Sequence, residues 1–146
     1  MGGTMINAQP CTFFLIEDNA ADADLISRAL RKADKSTQIH IARDGEEALQ
    51  MLNNWPGNFP NPMIILLDLK LPKIDGLDVL KAIKQNSSLK FLPVVVLTSS
   101  NQIQDVQRAY QFGTNSYVLK AIDFDEFSKA IEMIQQYWCR LNVYPF

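Results

Sequence analysis

Five side chains able to do chemistry stand at the ends of apolar runs. Glu17-Asp18 follow Phe13-Phe14-Leu15-Ile16, and Asp68 follows Met63-Ile64-Ile65-Leu66-Leu67. Thr98 ends Val94-Val95-Val96-Leu97, and Lys120 follows Tyr117-Val118-Leu119. Singly, each has an ordinary explanation: Asp18 starts a turn, Asp68 tops a loop, Thr98 is a strand residue and Lys120 is solvated. Gathered on one edge, they make a set of three carboxylates, one hydroxyl and one ammonium. Two carboxylates about 4 Å apart repel by roughly 4 kcal/mol at an effective dielectric of about 20. A domain stable by about 5–15 kcal/mol does not keep such a cluster for packing alone. Lys120 supplies one neutralising charge, and a hard divalent cation bound by oxygen completes the set. Mg²⁺ suits best, since it takes few carboxylates and keeps water and phosphate oxygens as its other ligands. The chemistry that fits is phosphoryl transfer onto a carboxylate, with the metal and Lys120 neutralising the transferred group and Thr98 donating a hydrogen bond to it. Asp68 is the candidate nucleophile because it ends the most apolar, and so most central, run. Asp18 would hold the metal directly and Glu17 through water.

Elements must exist to bring these residues together. Short unalternated runs rich in β-branched residues suit parallel strands buried on both faces, and Ile39–Ile41 is a weaker fifth run. Between the runs lie amphipathic stretches with helix-start signals. Asn19 can cap the first, with Leu25, Ile26, Ala29 and Leu30 as its apolar stripe. Asp44 with Glu47, Asn101 with Gln104, and Asp123 with Glu126 have capping-box spacing. Gly113 suits the stop of the fourth helix, and Asn53–Pro62, with three prolines, reads as a loop. The sum is a strand-helix unit repeated five times, which makes a parallel sheet covered on both faces. At 146 residues the open three-layer sandwich fits, whereas a closed eight-unit barrel needs about 250.

In this order and spacing, Phe13-Phe14-Leu15-Ile16-Glu17-Asp18-Asn19, Ile65-Leu66-Leu67-Asp68-Leu69 with Leu71-Pro72 and Asp75-Gly76, Val96-Leu97-Thr98-Ser99 and Tyr117-Val118-Leu119-Lys120 resemble the response-regulator receiver domain, the CheY-like family. The resemblance implies an α/β fold: a (βα)5 flavodoxin-like three-layer sandwich of strand order 2-1-3-4-5. It also implies a receiver over 12–138, an N-terminal extension over 1–11 and an aromatic tail over 139–146. Carried over residue by residue, it makes Asp68 the phospho-acceptor charged by a sensor histidine kinase. Glu17 and Asp18 become the acidic pair; Asp18, Asp68 and the Lys70 carbonyl become Mg²⁺ ligands. Thr98 and Lys120 would bind the phosphoryl group, and Tyr117 is the switch aromatic that turns inward as Thr98 moves. Lys70 and Ser100 occupy positions that tune the phosphate's lifetime, and the Lys70 side chain reads as solvated. One departure is Ala121, where the family usually has a proline joined to the lysine by a cis bond. A non-proline cis bond costs about 3–4 kcal/mol, so a trans bond and a differently shaped loop are expected. The Glu-Asp-Asn-x-x-Asp opening and long last helix look like the small regulators that partner cyanobacterial phytochromes.

Composition excludes other classes. With 47% hydrophobic residues, and 14 Lys+Arg against 16 Asp+Glu for a net charge of −2, the chain is neither disordered nor a general nucleic-acid binder. No apolar run nears the ~20 residues of a membrane span, and the opening MGGTMINAQP lacks the basic cluster and apolar core of a secretory signal. A cytoplasmic domain that speaks through its own surface is expected, without nucleic-acid or membrane partners. Phe127, Ile131, Ile134, Trp138 and Leu141 form one helical stripe. The ending Val143-Tyr144-Pro145-Phe146 is aromatic where chain ends are normally polar, so a homodimer through the last helix and tail is expected. Cys11 and Cys139 have no metal-ligand spacing and read as reduced thiols, with no disulfide framework. His40 reads as a surface residue, and Trp55 either covers a helix end or meets a partner. The expected activity is phospho-acceptance with only self-phosphorylation and self-dephosphorylation. A haloacid-dehalogenase-type phosphatase would want an aspartate where Lys70 stands, and a flavodoxin-like cofactor binder a Ser/Thr/Gly loop where Glu17-Asp18-Asn19 stand. A non-phosphorylated binding adaptor is the remaining alternative.

Overall fold

The apolar runs become strands because neighbours cover both of their faces. In a computed structural model that describes residues 10–145, strands β1 (Thr12–Ile16), β2 (Gln38–Ala42), β3 (Met63–Leu67), β4 (Val94–Thr98) and β5 (Ser116–Leu119) alternate with helices. The helices are α1 (Ala20–Ala33), α2 (Gly45–Asn53), α3 (Gly76–Gln85), α4 (Ile103–Gln111) and α5 (Phe124–Gln136). All strand pairs are parallel, in the order 2-1-3-4-5, so the expected three-layer α/β sandwich is the observed one.

Alternate residues of the central strands feed two cores. Phe14, Ile16, Met63, Ile65, Leu67, Val94 and Val96 pack with Leu52 of α2, Leu80 and Ile83 of α3, and Ala109 of α4. Phe13, Leu15, Ile64, Leu66, Val95 and Leu97 face the other way, onto Ile26 and Leu30 of α1 and Phe127, Ile131 and Ile134 of α5. A strand buried on both faces has no polar positions to alternate, which is why β1, β3 and β4 read as continuous apolar runs. Edge strand β2 shows its half-exposed status as Gln38 and His40 outward, Ile39 and Ile41 inward.

Helix ends follow side-chain chemistry with one exception. Asn19, Asp44 and Asp123 cap α1, α2 and α5 by accepting backbone N–H bonds. Asp75 does the same for α3. Asn101 is not a cap: α4 begins one residue later, after Gln102, with no side-chain cap bond. Gly113, at φ 97°, takes the left-handed conformation that stops α4, and the Thr114 N–H closes the motif on the Ala109 carbonyl. Trp55 covers the end of α2, against Phe14 at 6.1 Å, Phe59 at 5.6 Å and His40 at 4.8 Å between ring centroids. No helix among the described residues is long and apolar enough to cross a membrane.

The C-terminal region departs most from expectation. Cys11 and Cys139 are not free thiols; they form a disulfide with their Cα atoms 5.7 Å apart. Their separation of 128 residues hides a simple fact of parallel sheets: a helix packed on the sheet runs back toward the strands' amino ends. The end of α5 therefore returns to the start of β1. After Gln136 the helix widens into a π-helical turn, Tyr137–Leu141. The apolar stripe is buried through Ile134, and Trp138 packs on the same core from its edge. Leu141 and Val143 stay exposed, while the Tyr144 hydroxyl donates to the Trp138 carbonyl at 2.7 Å. Phe146 and nearly all of the 1–11 extension lie outside the described residues.

Candidate functional site

Ladder hydrogen bonds carry the reactive residues to one edge. The Glu17 N–H donates to the Ala42 carbonyl, that of Asp68 to Ile16, and that of Lys120 to Thr98, all between 2.8 and 3.0 Å. Each residue is thus the last rung beyond its strand, at the carboxyl edge where open α/β sheets bind ligands. Gly76 shapes the floor: a β-carbon there would collide with the Asp68 and Leu69 backbone, so only glycine lets α3 start this close.

Lys120 reaches across β4 from the edge strand. Its ammonium donates to Glu17 Oε1 at 2.7 Å, Asp22 Oδ2 at 2.9 Å and Asp68 Oδ2 at 3.1 Å. Asp68 also accepts from the Lys70 N–H at 3.3 Å, and Glu17 Oε2 from the Asn19 N–H at 3.2 Å. Glu17, Asp68 and Thr98 are buried, whereas Asp18 and Lys70 are exposed. The Lys120–Ala121 bond is trans, Asn61–Pro62 being the cis bond among the described residues. The trans loop still aims Lys120 at the carboxylates.

Glu17, Asp18 and Asp68 each offer an oxygen, all within 4.8 Å of one another. An all-carboxylate set, with two members buried and Asp18 open to solvent, fits a hard divalent cation that keeps part of its water shell. On the α4 side, the Tyr117 hydroxyl donates to the Ser100 carbonyl at 2.8 Å. The Ser100 hydroxyl donates to Asp105, and its N–H to Thr98 Oγ1 at 3.4 Å. Ser100 thereby links Thr98, Tyr117 and the first turn of α4. Burial raises the Tyr117 phenol, against the Ser100 bond that lowers it.

The structure unites Glu17, Asp18, Asp68 and Lys120, with Tyr117 and Thr98 meeting at Ser100. Asp22 is the residue that sequence reasoning passed over. Acids in a helix's first turn are ordinary, because they complement the helix dipole. Its signal lay in the Glu-Asp-Asn-x-x-Asp spacing, which puts Asp22 one turn above the strand end.

Residues 13–132 match the family model described as response regulator receiver domain. The chain is 40% identical to the probable methanogenesis regulatory protein FilR2 of Methanothrix harundinacea, over 98% of this chain and 94% of that protein. It is 38% identical to response regulator Rcp1 of Synechocystis sp., over 93% and 94% of the two chains. Among solved structures, the phosphorylated cyanobacterial phytochrome response regulator RcpA matches with TM-score 0.87 and 34% identity, over 94% of this chain and all 100% of the other. The Mn(2+)-bound form of Rcp1 matches with TM-score 0.84 and 36% identity, over 94% and 100%.

Electrostatics sets the site's response to pH. Burial is the main force raising the Glu17 carboxyl; the Lys120 hydrogen bond opposes it, and the Asp68 charge adds to the rise, leaving it at about 7. Burial pulls Lys120 down, but its bonds to Glu17 and Asp22 and the charge of Asp68 outweigh this and hold it above an ordinary amine. A carboxyl raised on folding favours the folded state while it is protonated. That contribution is complete below the ordinary value of 4.5 and is lost as pH rises through about 7. In metal-free buffer, the stability of the wild type relative to Glu17→Gln should therefore fall between those pH values, by an amount on the order of 1–3 kcal/mol. Urea titrations across the range check this; parallel curves for the two proteins would contradict it.

Proposed function

Because the chain belongs to the response-regulator receiver family, we propose that it is a two-component signalling switch whose Asp68 accepts a phosphoryl group from a sensor histidine kinase. The observation that carries this reading is Asp68 at the end of β3, bonded to Lys120 and clustered with Glu17 and Asp18. An Asp68 carboxylate oxygen attacks phosphorus in line; the bond to the donor breaks as the new one forms, and the donor keeps the electron pair. Lys120 turns one of its hydrogen bonds from a carboxylate to a phosphoryl oxygen, and the Thr98 hydroxyl donates another. Asp18, Asp68 and the Lys70 carbonyl, with Glu17 through water, would hold Mg²⁺, which when bound neutralises charge on the transferred group. Self-phosphorylation from small donors and slow hydrolysis of the aspartyl phosphate are its only chemistry.

The output is a change of surface. Drawing Thr98 toward the phosphate moves the Ser100 backbone that holds the Tyr117 hydroxyl, and with it the start of α4. The kinase is of phytochrome type on the likeness to RcpA, and the setting is cytoplasmic. Two copies pair through the outer face of α5 and the tail, where Met133, Tyr137, Leu141 and Val143 are exposed apolar residues.

Three measurements test these statements. With Mg²⁺ and acetyl phosphate, intact mass should show one phosphoryl group per chain, absent without a divalent cation and absent in Asp68→Asn. A wild type that takes none, even from a phytochrome kinase, points to a binding adaptor. Asp22→Asn removes a competitor for Lys120, so adduct formation should speed up a few-fold while stability changes by less than about 1 kcal/mol, as for a partly exposed ion pair. An unchanged rate would place Asp22 outside the chemistry. Deleting 142–146 should lower the mass seen by light scattering toward that of one chain; an unchanged mass sinks the pairing model.

A further inference from the structure

The bridge between Cys11 and Cys139 joins two parts of the fold that differ in how firmly they are held. Cys11 is buried just before β1, and its carbonyl accepts the Gln38 N–H at 2.9 Å. The next residue, Thr12, donates to Pro62 at 3.1 Å, so Cys11 is fixed into the sheet. Cys139 sits in the π-helical turn beyond α5 and is only partly buried. Around it, the Asn142 N–H closes on the Tyr137 carbonyl and the Tyr144 hydroxyl on the Trp138 carbonyl, 2.8 and 2.7 Å. Both of those bonds run within the terminal segment and give it shape without attaching it to the sheet. Trp138 packing on the α1–α5 core, the Tyr137 N–H bonded back to α5, the Arg140 charge facing Asp34 and the covalent bridge are among the ties that hold it. Three of the exposed apolar side chains, Tyr137, Leu141 and Val143, belong to this segment.

We propose that Cys11–Cys139 is a reversible redox site that clasps the segment 137–145 onto the sheet when oxidised and releases it when reduced. In the bridged form the two Cα atoms are 5.7 Å apart, within the span that a disulfide takes without distorting the backbone. The opening reagent is a small thiol. Its thiolate attacks the Cys139 sulfur, the more exposed of the pair, and the Cys11 sulfur leaves with the bonding electrons and takes up a proton. A second small thiol then resolves the mixed disulfide, so one protein disulfide and two small thiols become one protein dithiol and one small disulfide. Closure is the same exchange in reverse, with a small disulfide as oxidant. The device is independent of Asp68, which lies at the opposite edge of the sheet.

The test uses the full-length protein. Air-oxidised wild type, denatured and treated with iodoacetamide, should take up no label, and after reduction it should take up two. Native protein titrated with glutathione redox buffers should pass through one two-electron transition. Amide exchange across 137–145 should speed up several-fold on reduction, and in Cys139→Ser and Cys11→Ser whatever the buffer, while β3 and β4 are unchanged. Two labels on the oxidised protein would remove the bridge. A bridge that native-state glutathione cannot open, or a segment whose exchange is the same in both forms, would overturn the clasp.

Discussion

Everything at the carboxyl edge depends on one ammonium facing too many carboxylates. The topology forces the crowding: in a parallel sheet all strands end on the same side, and in the order 2-1-3-4-5 the ends of β1 and β3 are neighbours. Glu17 and Asp68 are then obliged to share a small buried volume, with Asp22 added from the first turn of α1. Lys120 bonds all three yet cancels one charge. The excess has a physical cost that burial aggravates, and the protein meets it in two ways. Glu17 becomes easier to protonate, and the oxygen cluster around Asp18 stays open to a cation. A site built on incomplete neutralisation is responsive by construction, since any added positive charge or phosphoryl group redistributes the bonds of Lys120.

The sequence displayed the sheet and the edge clearly for a reason of the same kind. Strands buried on both faces leave no room for polar residues, so the first polar residue after each run marks the strand end. In this topology strand ends are the site. Glu17, Asp18, Asp68, Thr98 and Lys120 were therefore visible as strand-end residues before any contact was known. Asp22 belongs to a helix, where an acid near the start is ordinary, so its one signal was its spacing after Glu17-Asp18-Asn19.

Features that depend on long-range return of the chain were the illegible ones. The cysteines lie 128 positions apart, and their pairing follows from α5 running antiparallel to β1 over a length no local pattern specifies. Asn101 had the spacing of a cap, yet α4 begins after Gln102 with no side-chain cap bond. Ser100 is tied to Tyr117 and Asp105, and α4 starts where those bonds put it. Trp55 sits in a proline-rich loop that left covering a helix end and meeting a partner both open, and Phe14, Phe59 and His40 are the rings it meets. The cysteine pair, the Ser100–Tyr117 bond and the Trp55–Phe14 and Trp55–His40 contacts all join residues far apart in sequence.

Ala121 shows which constraints aim the site's lysine. If the residue after Lys120 set its direction, replacing a cis proline by a trans alanine would turn the ammonium away. It does not, because direction is fixed on both sides of that bond. Before it, the Lys120 N–H is a rung on the Thr98 carbonyl, which sets the position and orientation of the Lys120 backbone. Beyond the side chain's flexible stem, carboxylates from β1, α1 and β3 pull the ammonium inward. The stem makes up the small difference in loop shape, as a rigid side chain could not. Asp22 is the extra carboxylate on the side of α1, and it shares the ammonium with Glu17 and Asp68. The loop is thus free to vary in shape, while the charges and the ladder rung keep the ammonium over Asp68.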